Sequence, residues 1–323
     1  MLEIVKPGLE TSIQDFPGRI GYWNQGFPPS GPMDSWSFRL ANILVSNEIG
    51  APGLEAQFMG PTIKFQKDGV IAVTGANMGP KLDGEEIPMW QSVAVTANQT
   101  LVMGPALFGA RGYLAIAGGI DAPKWLGSAS TFHKASVGGL DGNALKAGQV
   151  LPVGDGHGHA GRRVKDNCRP AFASDKKWQI EAVAGPNDDW IDTDGHKQFL
   201  ATDWKLEARS DRTGYRLEGP DWTFTQKATD KPPENGEFPS NIIDHGYPMG
   251  GINLCGQKPI ILVNDGPSMG GFIVPYTVPS AAFWKLGQIK PNEFLCFKRV
   301  NVEEAQTLRV ALDDRCTESS IET

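Results

Sequence analysis

The 323 residues are 40% hydrophobic and 21% charged, a composition that buries a full core and leaves room for two domains of ordinary size. The net charge of −7 argues against a nucleic-acid groove or an anionic membrane surface as the main partner, but allows a local anion site. The 39 glycines and 24 prolines exceed average usage and point to many turns and short strands rather than long helices.

The N-terminus, MLEIVKPGLETSIQD, carries charges where a signal peptide needs an apolar run. No later stretch is apolar enough to span a bilayer, so a cytoplasmic protein is expected. QDFPGRIGYWNQGFPPSG follows, a long turn-rich approach that holds Gln14, Asp15, Arg19 and Tyr22. Long ordered loops are disproportionately functional. It leads into a helical pattern in which Trp36, Leu40, Ile43, Leu44 and Asn47 recur at i, i+4, i+7, i+8 and i+11 spacing, all but the last apolar, giving one buried face. Ser30 is expected as the N-cap, Pro32 in the first turn, and Asp34 there complements the helix dipole. A capped amphipathic helix needs no more than this. Its mouth also offers free N–H groups to an anion or a polarised carbonyl. Ser30, Gly31, Pro32, Met33 and Asp34 are therefore a candidate site for a carboxylate or carbonyl.

A strand rhythm comes next. VIAVTG (Val70 to Gly75) is a β-branched apolar run, and Asp83-Gly84 in KLDGEEI is the dipeptide of a tight hairpin turn. SVAVTANQTLVMG and ARGYLAIAGGI continue at the spacing of a sandwich or barrel. Between Gly154 and Lys177 the pattern fails in a polar, basic, Gly-containing stretch. The expected organisation is a first subdomain over 1–155, a linker over 156–176, a second subdomain over 177–310 and a tail over 311–323. In the second half, WQIEAVAG, KLEARSDRTGYRLEG and PIILVND read as strands, and a helical stretch is expected near Gly195 to Trp204. A short helix is expected from Ser280 with Gly287 at its end, and fraying past Asp313. Cys168, Cys255, Cys296 and Cys316 are too dispersed for a metal motif and read as free thiols. The scattered histidines read as solvated loop residues rather than metal ligands. There is no GxGxxG after a strand, no GxSxG elbow and no P-loop.

The segments TSIQDFPGRIGYWNQGFPPSGPMDSWSFRLAN and LEAQFMGPTIKF resemble the allophanate-hydrolase-subunit-2 family, also called the KipA family. YLAIAGGIDAPKWLGSASTF, DRTGYRLEGP, PSNIIDHGYPMGGINL and NDGPSMGGFIVPYTVPSAAFWKLGQIKP match it in order, from about Ile4 to about Phe297. GYWNQGFPPSGPMD, PSN and DGPSMGGF resemble its urea carboxylase branch. The chain departs from that branch at Ala117 and Asn143, where arginine tends to stand, so the substrate remains open.

The resemblance implies a mainly β fold of two cyclophilin-like β-barrel subdomains with a few short helices. It also implies a carboxyltransferase subunit that moves carboxyl from carboxybiotin to the nitrogen of urea or a related amide. The biotin would arrive on a separate carrier, with none bound covalently to this chain. Implied partners are a subunit-1-like (KipI-type) protein, a biotin carboxylase, a biotin carrier protein and a small amide substrate. No nucleic acid, membrane or metal is implied. The alternatives are the C-type subunit of an ATP-dependent 5-oxoprolinase and a non-enzymatic KipA-like regulator that binds a kinase inhibitor.

Carboxyl transfer to an amide nitrogen needs positioning, a proton acceptor and stabilised oxyanions. Asp15, Asp34, Tyr22 and Asp265 are the acid/base candidates. Gln14 and Asn241 suit amide recognition, and Arg19 and Arg212 suit a carboxylate. Gly266, Pro267, Ser268, Gly270 and Gly271, with the helix-mouth residues, are binding candidates because glycine allows close backbone approach. Taken singly, Asp15 and Asp265 are equally good turn-formers, and Arg212 and Asn241 equally good turn or cap residues.

Overall fold

A computed structural model describes residues 1–323. The fold is mainly β, and the chain divides into two compact units. Residues 1–22, 29–172 and 311–323 form the first; residues 23–28 and 173–310 form the second.

The first unit carries two sheets. One is six-stranded, in the order Val150–Leu151, Leu2–Lys6, Thr62–Phe65, Thr100–Val102, Lys81–Leu82, Glu85–Glu86. The other is five-stranded, in the order Glu10–Gln14, Gly53–Gln57, Phe108–Ile116, Gly69–Asn77, Ser92–Val95. Alternating side chains from both sheets, among them Ile4, Ile63, Phe65, Leu54, Val73 and Leu114, make one core. Each such side chain contributes about 1.5–3 kcal/mol when fully buried. The Asp83-Gly84 turn joins its two short strands with φ of 50° and 93°, the left-handed pair that a tight hairpin requires.

Helix α1 spans Ser35–Leu44. The expectation of a single buried face is corrected: every residue from Trp36 to Leu44 is buried. Its polar residues are there because each has a partner. Arg39 pairs with Asp313 at 2.7 Å and stacks on Phe16, while Asn42 donates to the Ala51 carbonyl at 2.9 Å.

The chain does not fray past Asp313. Ile321–Glu322 pairs with Arg163–Val164, inside the stretch that reads as a linker, and Glu318 forms an ion pair with Arg162. Before it, Val302–Asp314 is a 13-residue helix in which only Leu312 is buried. With so little apolar face, its sequence reads as polar tail. The local signal was Asn301 and Glu304, whose side chains each accept the other's backbone N–H at 2.8 Å, a capping box.

In the second unit seven strands close a barrel, in the order Lys177–Ala184, Tyr276–Thr277, Gly251–Cys255, Lys258–Leu262, Gly214–Glu218, Asp203–Leu206, Phe294–Arg299. The predicted helix appears as Thr193–Ala201. Its Phe199 stacks on Tyr276 and Phe297 with ring centroids 4.3 and 4.4 Å apart. The element expected at Ser280 is a 3-10 turn over Ser280–Ala282 that runs into a helix over Phe283–Gln288, so Gly287 lies inside the last turn. Asn241–Gly246 and Met269–Phe272 form a separate two-stranded ribbon. No helix is long and apolar enough to cross a membrane.

Candidate functional site

The mouth of α1 is built differently from its sequence expectation. Asp34, not Ser30, is the N-cap: its Oδ1 accepts the Ser37 N–H at 2.9 Å and its Oδ2 the Ser37 hydroxyl at 2.5 Å. Pro32 therefore precedes the helix rather than lying in its first turn. Ser30 and Gly31 turn the chain ahead of it, with φ of 56° and 78°. A Cβ at Gly31 would stand 3.2 Å from the Asp15 carbonyl oxygen, so the turn lies flat on the preceding loop. Gly18 does the same from the other side, where a Cβ would meet the Pro29 carbonyl at 2.4 Å.

The backbone donors at this mouth face inward. Met33 N–H donates to Glu55 Oε2 and Asp34 N–H to Tyr113 Oη, both at 2.8 Å, and the Tyr113 hydroxyl donates to Glu55 Oε2 at 2.8 Å. Arg111 lies 3.4 Å from the other Glu55 oxygen. Burial, then the charges of Glu55 and Asp34, holds the Tyr113 phenol well above its usual range, so it stays a donor. The expectation that Met33 and Asp34 present open N–H groups to a ligand is thus corrected. The signal missed in the sequence was Glu55, a charged residue inside an otherwise apolar strand position.

Asp15 is clamped by three consecutive residues. Oδ1 accepts from the Ser128 and Ser130 hydroxyls at 2.5 Å each, and Oδ2 accepts the Ala129 N–H at 2.8 Å. Arg19 is buried beside it, donating to the Ser130 carbonyl at 2.8 Å with its guanidinium 5.0 Å over the Trp125 ring. Gln14 donates to Ser12 Oγ at 2.9 Å, while its Oε1 is buried without a donor. Tyr22 is half-buried at the end of this segment. The first unit thus brings together Gln14, Asp15, Arg19 and Gly31, and adds Ser128, Ser130 and Trp125. Those three lie in the motif YLAIAGGIDAPKWLGSASTF, where small hydroxyl residues give no local sign that they bind a distant carboxylate.

In the second unit, Arg212 and Asp265 are both buried and paired, Nε to Oδ2 at 2.9 Å and Nη2 to Oδ1 at 3.4 Å. The bidentate face that suited a substrate carboxylate is occupied by Asp265. Gly266 N–H donates to the Val263 carbonyl at 2.8 Å, and Pro267 is exposed beyond it. The Ser268 carbonyl accepts the Tyr247 N–H at 2.8 Å. Gly270 and Gly271 lie on the ribbon with Asn241, where a Cβ on Gly270 would stand 2.7 Å from the Tyr247 ring. Tyr247 Oη accepts the Phe272 N–H at 2.8 Å, and burial pushes its phenol pKa up. Asn241, Ser268, Gly270 and Gly271 are half-buried together on or beside this ribbon. No group of three or more His, Cys, Asp or Glu is arranged to hold a metal ion.

The comparisons with known proteins agree with this architecture. The chain is 41% identical over 321 residues to urea amidolyase of Saccharomyces cerevisiae, covering 97% of this chain and 17% of that protein. It is 32% identical to a 5-oxoprolinase subunit of Escherichia coli, covering 96% of this chain and 94% of that protein. The crystal structure of the K. lactis urea amidolyase superposes with a TM-score of 0.93 at 36% identity, over 100% of this chain and 20% of that one. The chain therefore spans about a fifth of the length of the urea amidolyases it matches. The family model described as the carboxyltransferase domain, subdomain A and B, matches residues 25–299. With a barrel of the expected kind and relatives along its whole length, the chain belongs to this carboxyltransferase domain family.

Proposed function

We propose that this chain is the carboxyltransferase part of a biotin-dependent carboxylase, moving carboxyl from carboxybiotin on a separate carrier to a nitrogen of urea or a related amide. The observation that carries the reading is similarity along 100% of the chain to the K. lactis urea carboxylase, at a TM-score of 0.92 and 37% identity. Carboxybiotin supplies an activated carboxyl group; the protein's task is to orient the acceptor nitrogen and take its proton. Asp15, Arg19, Asp34, Arg212 and Asp265 act as positioning groups, because each already holds protein partners. In the first unit Gln14 and Tyr22 are the groups for substrate; Gln14 Oε1 is a buried acceptor that lacks a donor, which an amide N–H supplies. In the second unit Asn241 and Ser268 have that role, with Gly266, Pro267, Gly270 and Gly271 shaping the approach. A subunit-1-like partner, a biotin carboxylase and a biotin carrier complete the enzyme in the cytoplasm, and the isolated chain is inactive.

The test is ATP turnover by the chain mixed with those companions. Urea- or amide-stimulated turnover that requires the biotinylated carrier supports the reading. Turnover with 5-oxoproline and no biotin replaces it with the 5-oxoprolinase reading. One observation favours that second reading: the chain and the E. coli 5-oxoprolinase protein match over nearly the full length of both.

A further inference from the structure

A cleft of about 570 Å³ opens within the first unit, in the size range of small-molecule sites. No residue of the carboxyl-transfer reading lines it. Met89, Trp90, Phe108 and Phe172 form apolar walls, and Asn77 and Arg169 are the polar donors. The exposed Glu86 lies at its edge.

Four features mark the cleft as built rather than incidental. Trp90 has φ of 62°, uncommon for a bulky aromatic residue. It is held there from both sides: its N–H donates to the Val73 carbonyl and its own carbonyl accepts the Val164 N–H, each at 2.9 Å. Strained backbone of this kind persists where the surroundings over-determine it, and it concentrates at ligand clamps. Phe108 and its neighbour Leu107 are 60% and 65% exposed and both line the cleft, so they form a contiguous apolar surface rather than a single exposed ring. Arg169 donates to the Val164 carbonyl through Nε at 3.1 Å and Nη2 at 2.8 Å, and Nη2 lies 3.2 Å from Asp166. None of these contacts uses Nη1. Burial lowers the guanidinium's proton affinity, so its charge is partly stripped of water and interacts more strongly with an anion. Asn77 Oδ1 accepts the Gly79 N–H at 2.9 Å, and its Nδ2 has no bond within the chain.

We infer that this cleft binds a flat, mainly apolar small molecule that ends in a carboxylate. The ring lies against Trp90 and Phe108, and the carboxylate meets the Arg169 and Asn77 donors. Aromatic walls with a few convergent polar groups are the usual composition of such sites. This site is separate from the residues of the proposed carboxyl transfer, so either reading can fail alone.

Titration calorimetry of the full chain with 2-naphthoate and with neutral 2-naphthamide tests it. Saturable binding of 2-naphthoate at a single site is expected. Arg169→Gln should weaken 2-naphthoate about tenfold, the loss of one charge-assisted contact, and leave 2-naphthamide within about twofold. Phe108→Ala, on an exposed side chain that folding does not need, should weaken both ligands. Absence of saturable binding below about 5 mM would overturn the proposal. So would equal loss of both ligands in Arg169→Gln, or binding that ignores both variants.

Discussion

Tyr113 donates its hydroxyl proton to Glu55 and accepts the backbone N–H of Asp34, each across 2.8 Å, in a part of the first unit closed to water. This one phenol ties the entrance of α1 to the middle of the five-stranded sheet. The helix mouth, which the sequence marks as an open donor site, is therefore a fixed corner.

Replacing Tyr113 with Phe keeps the edge contact to Phe38, whose ring centroid lies 5.9 Å away, and removes only the hydroxyl. The Asp34 N–H then loses its buried acceptor, and the protein should be less stable by about 1–3 kcal/mol, read as a lower midpoint in urea. The pH dependence follows from the raised phenol. A group whose folded value lies above its ordinary 10.0 contributes stability that is complete below pH 10 and is lost as pH rises through the folded value. Wild type should lose stability faster than Tyr113→Phe above pH 10; parallel curves would contradict the buried bond.

Asp15→Asn places an amide group where three donors converge, the Ser128 and Ser130 hydroxyls and the Ala129 N–H. With its oxygen kept on the Ala129 N–H, the amide NH2 faces the two serines, whose hydroxyls must stop donating to this position. A destabilisation of about 2–4 kcal/mol is expected, because three charge-assisted bonds are lost or reversed in a buried cluster. A double-mutant cycle with Ser128→Ala should give a coupling of about 1 kcal/mol or more. Simple additivity would mean that the clamp is not a unit.

The Arg212–Asp265 pair is buried on both sides. Removing either partner alone should cost about 3–5 kcal/mol, since an uncompensated buried charge remains. Removing both, as Arg212→Met with Asp265→Leu, should cost less than Asp265→Leu alone. Denaturant titration of the three variants decides it; a double variant weaker than either single one would mean that the pair is not the source of the loss.

Among the cysteines, Cys296 should be slow to alkylate. Burial, then its hydrogen bond to Asp203 and that carboxylate's charge, pushes the thiol up to about 11. It stays protonated at pH 8, and the thiolate is the nucleophile. Iodoacetamide followed by mass spectrometry should label exposed Cys255 first and buried Cys316 last. Early labelling of Cys296 would contradict the short contact to Asp203.

Several elements were legible locally. The strand over Gly69–Asn77, the Asp83-Gly84 turn and the helix near Thr193–Ala201 follow from period, β-branching and turn chemistry, as does the existence of α1 though not its cap. The family was legible in the ordered motifs. The C-terminal helix was missed because its pattern has almost no apolar face, although its capping box is written in Asn301 and Glu304.

What the sequence by itself determined is therefore the class of fold and the set of segments that matter, since both depend on near-neighbour patterns. The role of each polar residue was decided by tertiary structure. Asp15 meets Ser128 and Ser130, Arg212 meets Asp265, and Asp34 N–H meets Tyr113 across separations of 53 to 115 residues. A carboxylate or guanidinium acts on a ligand only with atoms not already bonded within the protein, and that depends on which distant strands the fold brings beside it.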